Sequence, residues 1–157
     1  YPGVQCVQII FNVLRQKPAK TVFPIAKQKK VGILARVPLA SGLLTGKFSH
    51  ATAFSGEDHR SNPLPGETFS GLEFAHGVRI VEKLKPLAKK EGLGLAQLAL
   101  RWILEHEAVT AAIPGAKNVK QVEENASASQ AKLSKETMAA IEAIYRSEVA
   151  GLVESVY

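Results

Sequence analysis

With 157 residues, 46% of them hydrophobic and 22% charged, the chain has one domain's length and an ordinary globular balance. No apolar run approaches the ~18 residues needed to cross a bilayer, and the net charge of +6 is scattered over helices, with small clusters at Lys27-Lys29-Lys30 and Lys89-Lys90 that read as solvated faces, so neither a membrane nor a nucleic-acid partner is expected. One cysteine, Cys6, expected in the core, excludes an intrachain disulfide; with no zinc-ligand spacing and no secretory-type leader, a reducing, cytoplasmic setting is expected.

The chain opens at Tyr1 rather than methionine, inside what reads as a strand, so a fragment or a processed chain is expected. Val4 to Val13 concentrates Val, Ile and Phe and reads as that strand. Lys20 to Lys30 reads as a short helix with Val22, Phe23, Ile25 and Ala26 as its apolar residues. Val31 to Val37 is a second strand, apolar almost throughout, as in a strand covered on both faces. It breaks at Pro38 into a loop carrying Gly42 and Gly46, where a backbone can approach a ligand closely. Ser49 to Gly71, rich in Ser, Gly, Pro and His, reads as a long excursion of the functional or mobile kind.

Leu72 to Glu91 reads as a helix with Val81, Leu84, Leu87 and Ala88 on one face; Pro86 should kink or divide it. Leu95 to His106 is a strongly apolar helix on the 3.6 period, with Trp102 expected in the core. Val109 to Ile113 is a third strand. Asn118 to Ser129 and Ser134 to Ser147 are the last helices, the second capped by Ser134 and burying Met138, Ile141, Ile144 and Tyr145. Strands separated by helical crossovers imply an α/β fold with a parallel sheet.

The segment Val109 to Asn125 is the most informative. A strand, a Pro114-Gly115 turn and a helix N-terminus together make an anion site, because the first helical N–H groups are unpaired and the dipole is positive there. Lys117 adds a charge, and Gln121, Glu124 and Asn125 share a helix face. A plain capped helix is the alternative: Asn118 followed by Gln121 is a capping-box-like start that needs no ligand.

Ile113-Pro114-Gly115 with Gln121 and Glu124-Asn125 resembles the last strand–helix unit of the aldo-keto reductases, which holds the adenosine end of NADP(H). Pro38 to Lys47 (PLASGLLTGK) resembles that family's pyrophosphate-covering loop and favours its bacterial and potassium-channel-β-like branch. Arg60 is similar to an arginine beyond that loop, and Gln8-Ile9-Ile10-Phe11-Asn12 to the sixth strand, whose glutamine holds the nicotinamide amide. The resemblance implies a cofactor site of Gln8, Arg36, Pro38, Leu39, Gly42, Lys47, Arg60, Gly115, Lys117, Gln121, Glu124 and Asn125. Lys117 would meet the 2′-phosphate, and Gln121, Glu124 and Asn125 the phosphate and adenine. Val37 stands where the family usually has serine, Arg36 where a stacking aromatic is common, and Phe11 where tyrosine is usual.

By the same resemblance the chain is one domain, residues 1–157 with a long loop at 49–71, forming the last three βα units of a partial (β/α)8 TIM-type barrel with C-terminal helices. A complete barrel needs eight units and about 250 residues. The family's Asp, Tyr, Lys and His catalytic group belongs to the earlier half, and no such group is found here, so no catalytic residue is assigned. The chain is expected to be the cofactor-binding portion of an NADP(H)-dependent carbonyl reductase, inactive alone, whose full-length parent takes a small aldehyde or ketone. The alternatives are a non-catalytic dinucleotide-binding or interaction module and an inactive self-associating truncation. Unpaired sheet edges imply a homo-oligomer or an absent N-terminal half.

Overall fold

The computed structural model describes residues 3–62 and 68–153; Tyr1, Tyr157 and positions 63–67 of the expected loop lie outside the described residues. The strands β1 (Cys6–Ile10), β2 (Gly32–Arg36) and β3 (Val109–Ala112) form a parallel sheet in the order β1-β2-β3. Helices α1 (Lys17–Thr21) and α2 (Phe23–Lys29) connect the first two strands, and α3 (Phe74–Lys90) and α4 (Leu95–Leu104) the second two. After β3 come α5 (Val119–Ser127) and α6 (Lys135–Glu148). The parallel α/β arrangement is therefore the one the periodicity implies.

Registers assign the two faces of the sheet. Val7 pairs with Ile33 and Ile9 with Ala35, and Ala35 in turn with Ala112, so these share a face. Ile33 and Ala35 are fully buried there under the helices, with Val7, Ile9 and Ala112 packed around them. The opposite face carries Cys6, Gln8, Gly32, Leu34 and Arg36, none of them buried, and Ile10, which is buried at the end of β1. The near-continuous apolar run of β2 is thus covered on one face by this chain, not two. Cys6 is exposed rather than in the core, because it points to the uncovered side of an edge strand.

The helices differ from expectation where proline intervenes. The span Lys20 to Lys30 is two helices, not one. Pro24 falls in the first turn of α2, where its missing N–H costs nothing, and it cannot continue the ladder from α1. Pro86, by contrast, does not divide α3, which runs unbroken over 17 residues. Pro86 and Glu82 are both exposed, so the Glu82 carbonyl that Pro86 leaves unserved is open to water. Gly77 lets α3 press onto the loop after β2: a Cβ there would come within 2.5 Å of Leu43 Cδ2.

Trp102 is core, as expected. Its ring stacks on Phe11 at 5.1 Å, with Phe23 and His106 edge-on to Phe11. Phe11 is completely buried, so its ring serves the core and not a ligand. His106 Nδ1 donates to the Trp102 carbonyl, and burial pushes its pKa below the ordinary histidine value. Ser134 caps α6, accepting from Thr137 N at 3.2 Å. Glu91, at the end of α3, accepts from both the Ser134 and Thr137 hydroxyls, which hold its carboxyl below the usual range. Ile141 is fully buried on α6, with Met138, Ile144 and Tyr145 packed against the same core.

One polar side chain ties the loops to the sheet. Asn12, fully buried just past β1, donates from Nδ2 to the Val37 carbonyl at 2.9 Å and to Ser70 Oγ at 2.9 Å. Its Oδ1 accepts from Leu14 N at 2.9 Å and from the Ser70 hydroxyl at 3.1 Å. Val37 and Ser70 both lie in the left-handed region, at φ 50° and 62°. Asn12→Ala would leave several buried polar groups unmet, each costing about 1–3 kcal/mol. We expect a loss of about 2–4 kcal/mol in urea unfolding, while Leu152→Ala on the exposed C-terminal turn changes stability little. An Asn12→Ala chain as stable as the parent would show that these bonds hold nothing.

Candidate functional site

The loop after β2 winds tightly because its residues turn left-handed repeatedly. Val37, Ala40, Ser41, Gly42 and Gly46 have φ of 50°, 48°, 57°, 93° and 74°. For residues with a Cβ this costs roughly 1–2 kcal/mol each, so the surroundings must hold the loop. Asn12 grips it at Val37, Leu43 and Leu44 are buried beneath it, and Thr45 Oγ1 donates to the Gly42 carbonyl at 2.6 Å. Gly42 is needed for space as well as conformation: a Cβ there would stand 3.3 Å from Phe48 Cζ and 3.6 Å from Arg60 Nη1.

This loop forms one wall of a cleft of about 730 Å³ at the C-terminal ends of β2 and β3. His59 and Arg60 come from the long excursion; Gly115 and Lys117 follow β3; Gln121, Glu124 and Asn125 project from α5. Of the sequence-derived site, Pro38, Leu39, Gly42, Lys47, Arg60, Gly115, Lys117, Gln121, Glu124 and Asn125 line this one cleft. Gln8 and Arg36 do not. They sit on the uncovered sheet face, Gln8 opposite Leu34 and Arg36 opposite Ile10. Ser41, Thr45, His59 and Ala96 also line it and were not anticipated. The glycine-rich spacing of 38–47 could have included Ser41 and Thr45; His59 and Ala96 carried no signal.

The α5 end shows both features weighed for it. Asn118 Oδ1 accepts from Gln121 N at 2.9 Å, and Gln121 Oε1 accepts from Lys117 N at 2.7 Å, so the helix caps itself. Val119 and Lys120 remain in the first turn without intrahelical acceptors. Asn125 Nδ2 donates to the Gly115 carbonyl at 3.3 Å, fixing the turn against the helix.

Arg60 is the most constrained charge in the cleft. Its Nε donates to Asp58 Oδ1 at 2.8 Å, and its Nη2 donates to Asp58 Oδ2. The guanidinium carbon lies 4.7 Å from the Phe54 ring centre and 5.3 Å from that of Phe48. Nη1 reaches the Ser41 carbonyl at 3.4 Å. The hydrogen-bonded Arg60 guanidinium holds the Asp58 carboxyl well below the usual carboxylate range.

Chemically the cleft can hold a large anion. Lys47, Arg60 and Lys117 supply positive charge, Gly42 and Gly115 allow close backbone approach, and α5 presents its positive end. A dinucleotide phosphate fits this donor set. Among the described residues no group of His, Cys, Asp and Glu is arranged to hold a metal, and no helix is long and apolar enough to cross a membrane.

Comparison with known proteins agrees. A sequence profile of the aldo/keto reductase family matches residues 1–146. Aldo-keto reductase str7 of Strobilurus tenacellus is 33% identical over 126 residues, 80% of this chain and 37% of that protein. Aldo-keto reductase yakc [NADP(+)] of Schizosaccharomyces pombe is 30% identical over 154 residues, 96% of this chain and 44% of that protein. The solved glycerol dehydrogenase of Gluconobacter oxydans superposes with a TM-score of 0.80 at 26% identity, over 97% of this chain and 45% of that one. The chain therefore spans less than half the length of these relatives.

Proposed function

The chain belongs to the aldo/keto reductase family, and from that premise we propose that it is the NADP(H)-binding portion of a carbonyl reductase, the last three βα units of a (β/α)8 barrel. The observation that carries this is the single cleft uniting the 38–47 loop, Arg60 and the Lys117–Asn125 segment. The name of the fission-yeast relative, which includes NADP(+), supports the choice of cofactor. Lys117 would hold the 2′-phosphate; Gln121, Glu124 and Asn125 the adenine; and Gly42, Lys47 and Arg60 the pyrophosphate. Gln8 and Arg36, on the uncovered face, would meet the nicotinamide. The bound cofactor would supply the reducing equivalent for an aldehyde or ketone, which would bind in the full-length parent. The lone, exposed Cys6 suits a reducing, cytoplasmic location.

A cation beside a helix N-terminus favours the extra phosphate. We expect tighter binding of NADP+ than NAD+, and a loss of about 1–3 kcal/mol in NADP+ affinity for Lys117→Ala. Equal affinity for the two cofactors, or a Lys117→Ala preference unchanged from the parent, would count against the assignment. The self-capped α5 favours the second reading, a non-catalytic interaction module; the absence of any dinucleotide binding would support it.

Carbonyl reduction needs a proton donor at the developing alkoxide, worth about 10²–10⁴-fold. Tyr145 packs against the core from α6, and burial pushes its phenol pKa up. His59 lines the cleft, with Nδ1 3.5 Å from Asp58, which is itself paired to Arg60. We therefore expect no NADPH oxidation by this chain with a reactive aromatic aldehyde. Turnover of about 1 per second or more would reveal an acid elsewhere in the chain.

The sheet implies association. β1 and β3 are both edges, the Gln8–Leu34–Arg36 face is uncovered, and an apolar cavity of about 450 Å³ opens between α4, β3 and α5. Such surfaces favour pairing with another chain or with the remainder of a barrel. Light scattering is expected to show a dimer or larger species, or poor solubility. A cooperatively unfolding monomer at high concentration would contradict this.

A further inference from the structure

Arg60 is held more tightly than a surface arginine requires. The exposed Arg146, by contrast, pairs with Glu142 one helical turn away through Nε. Arg60 instead has Nε and Nη2 met by the two oxygens of one carboxylate, Phe48 and Phe54 against its guanidinium, and Nη1 against the Ser41 carbonyl. Its side chain is only 17% exposed, although it lies on an excursion with little regular structure. Asp58 also accepts from the Arg60 backbone N–H at 3.0 Å, so the same carboxylate shapes the turn that delivers the side chain.

We propose that Asp58 is a positioning residue for cofactor binding: it locks the Arg60 guanidinium against Phe48, Phe54 and the Ser41 carbonyl, and so presets the cleft wall that takes the cofactor's pyrophosphate. This rests on the cofactor reading above. The location is decisive for what Arg60 can sense. It touches Ser41 and stands next to Gly42, in the 38–47 loop, whereas Lys117 lies on the α5 side of the cleft. The pyrophosphate is common to NADP+ and NAD+. Asp58 therefore acts on both cofactors alike, and Lys117 on the difference between them.

The two effects of removing Asp58 have opposite signs. Losing its negative charge would strengthen anion binding, while freeing Arg60 would make the ligand immobilise a long side chain. Fixing such a side chain on binding costs about 0.5–1.5 kcal/mol, which converts to roughly two- to tenfold in Kd. Ring contacts alone do not fix the directions of the guanidinium N–H groups, which the two carboxylate oxygens set. The proposal requires the ordering effect to exceed the electrostatic gain, and the sign of the change in affinity shows which prevails.

The experiment titrates the full chain with NADP+ and NAD+ by calorimetry, as parent, Asp58→Ala and Asp58→Asn, with the Arg60 Nε–H resonance followed by NMR in the cofactor-free protein. Asp58→Ala should weaken both cofactors by about three- to tenfold and abolish the slowly exchanging Nε–H signal. Asp58→Asn keeps an oxygen for Nε–H, so it should retain the signal and most of the affinity. Matching unfolding curves exclude a folding defect. Unchanged affinity in Asp58→Ala, tighter binding by both variants, or a loss confined to NADP+ would overturn the proposal. A parent chain that binds neither cofactor would overturn the cofactor reading itself, and the ligand named here with it. The NMR signal would still report whether Asp58 orders Arg60.

Discussion

The geometry of the cleft depends on one buried amide. Asn12 lies where β1 ends, yet its hydrogen bonds reach the first residue after β2 and the last turn before α3. Both targets are left-handed turns of residues that resist that conformation. A buried amide whose donors and acceptor are all met in fixed directions specifies a geometry that apolar packing would leave loose. The strain in the 38–47 loop is therefore carried by the sheet, through Asn12, and by the core, through Leu43 and Leu44. Strain of this kind persists only where the surroundings over-determine it, and here it coincides with the cleft wall.

Much of this was legible in the sequence, for identifiable reasons. β-Branched runs bounded by glycine and proline located the strands. The 3.6-period stripe of α4 marked Trp102 as core, and Ser134 announced the start of α6. Gly42, Gly115, Lys117, Gln121, Glu124 and Asn125 carry local signals of close approach or of a helix N-terminus, while Pro38, Leu39, Lys47 and Arg60 were found through the family resemblance. What escaped notice depended on tertiary context. Cys6 looks apolar by its neighbours but is exposed because its face of the sheet has no cover. Phe11 resembles a ligand-facing ring by position but turns into the Trp102 cluster. Asp58 reads as an ordinary surface charge, since no pattern reveals that Phe48 and Phe54 will pack against its partner.

Proline shows the same limit from another side. Pro24 and Pro86 carry the same local rule, but only Pro24 ends a helix. At Pro24 a new helix can begin within its first turn, while at Pro86 the missing bond faces water and the apolar stripe of Val81, Leu84 and Ala88 continues beneath it. Burial of that stripe, about 1.5–3 kcal/mol for each large side chain, offsets a solvent-side defect in α3.

The distribution of the site over the two sheet faces follows from where the core lies. The residues lining the cleft sit on segments anchored to the covered face: the 38–47 loop over Leu43 and Leu44, Arg60 against Phe48 and Phe54, and α5 tied to the turn at Gly115. These anchors need nothing beyond this chain. Gln8 and Arg36 stand on the other face, Gln8 exposed and Arg36 half-buried. Preorganisation is thus unequal along the site. The end built on Lys117, Gln121 and the loop is set before any ligand arrives, while Gln8 stands exposed on the other face. A ligand's affinity for this chain should accordingly be concentrated in its phosphate-bearing end, where the entropy of ordering is already met by the fold.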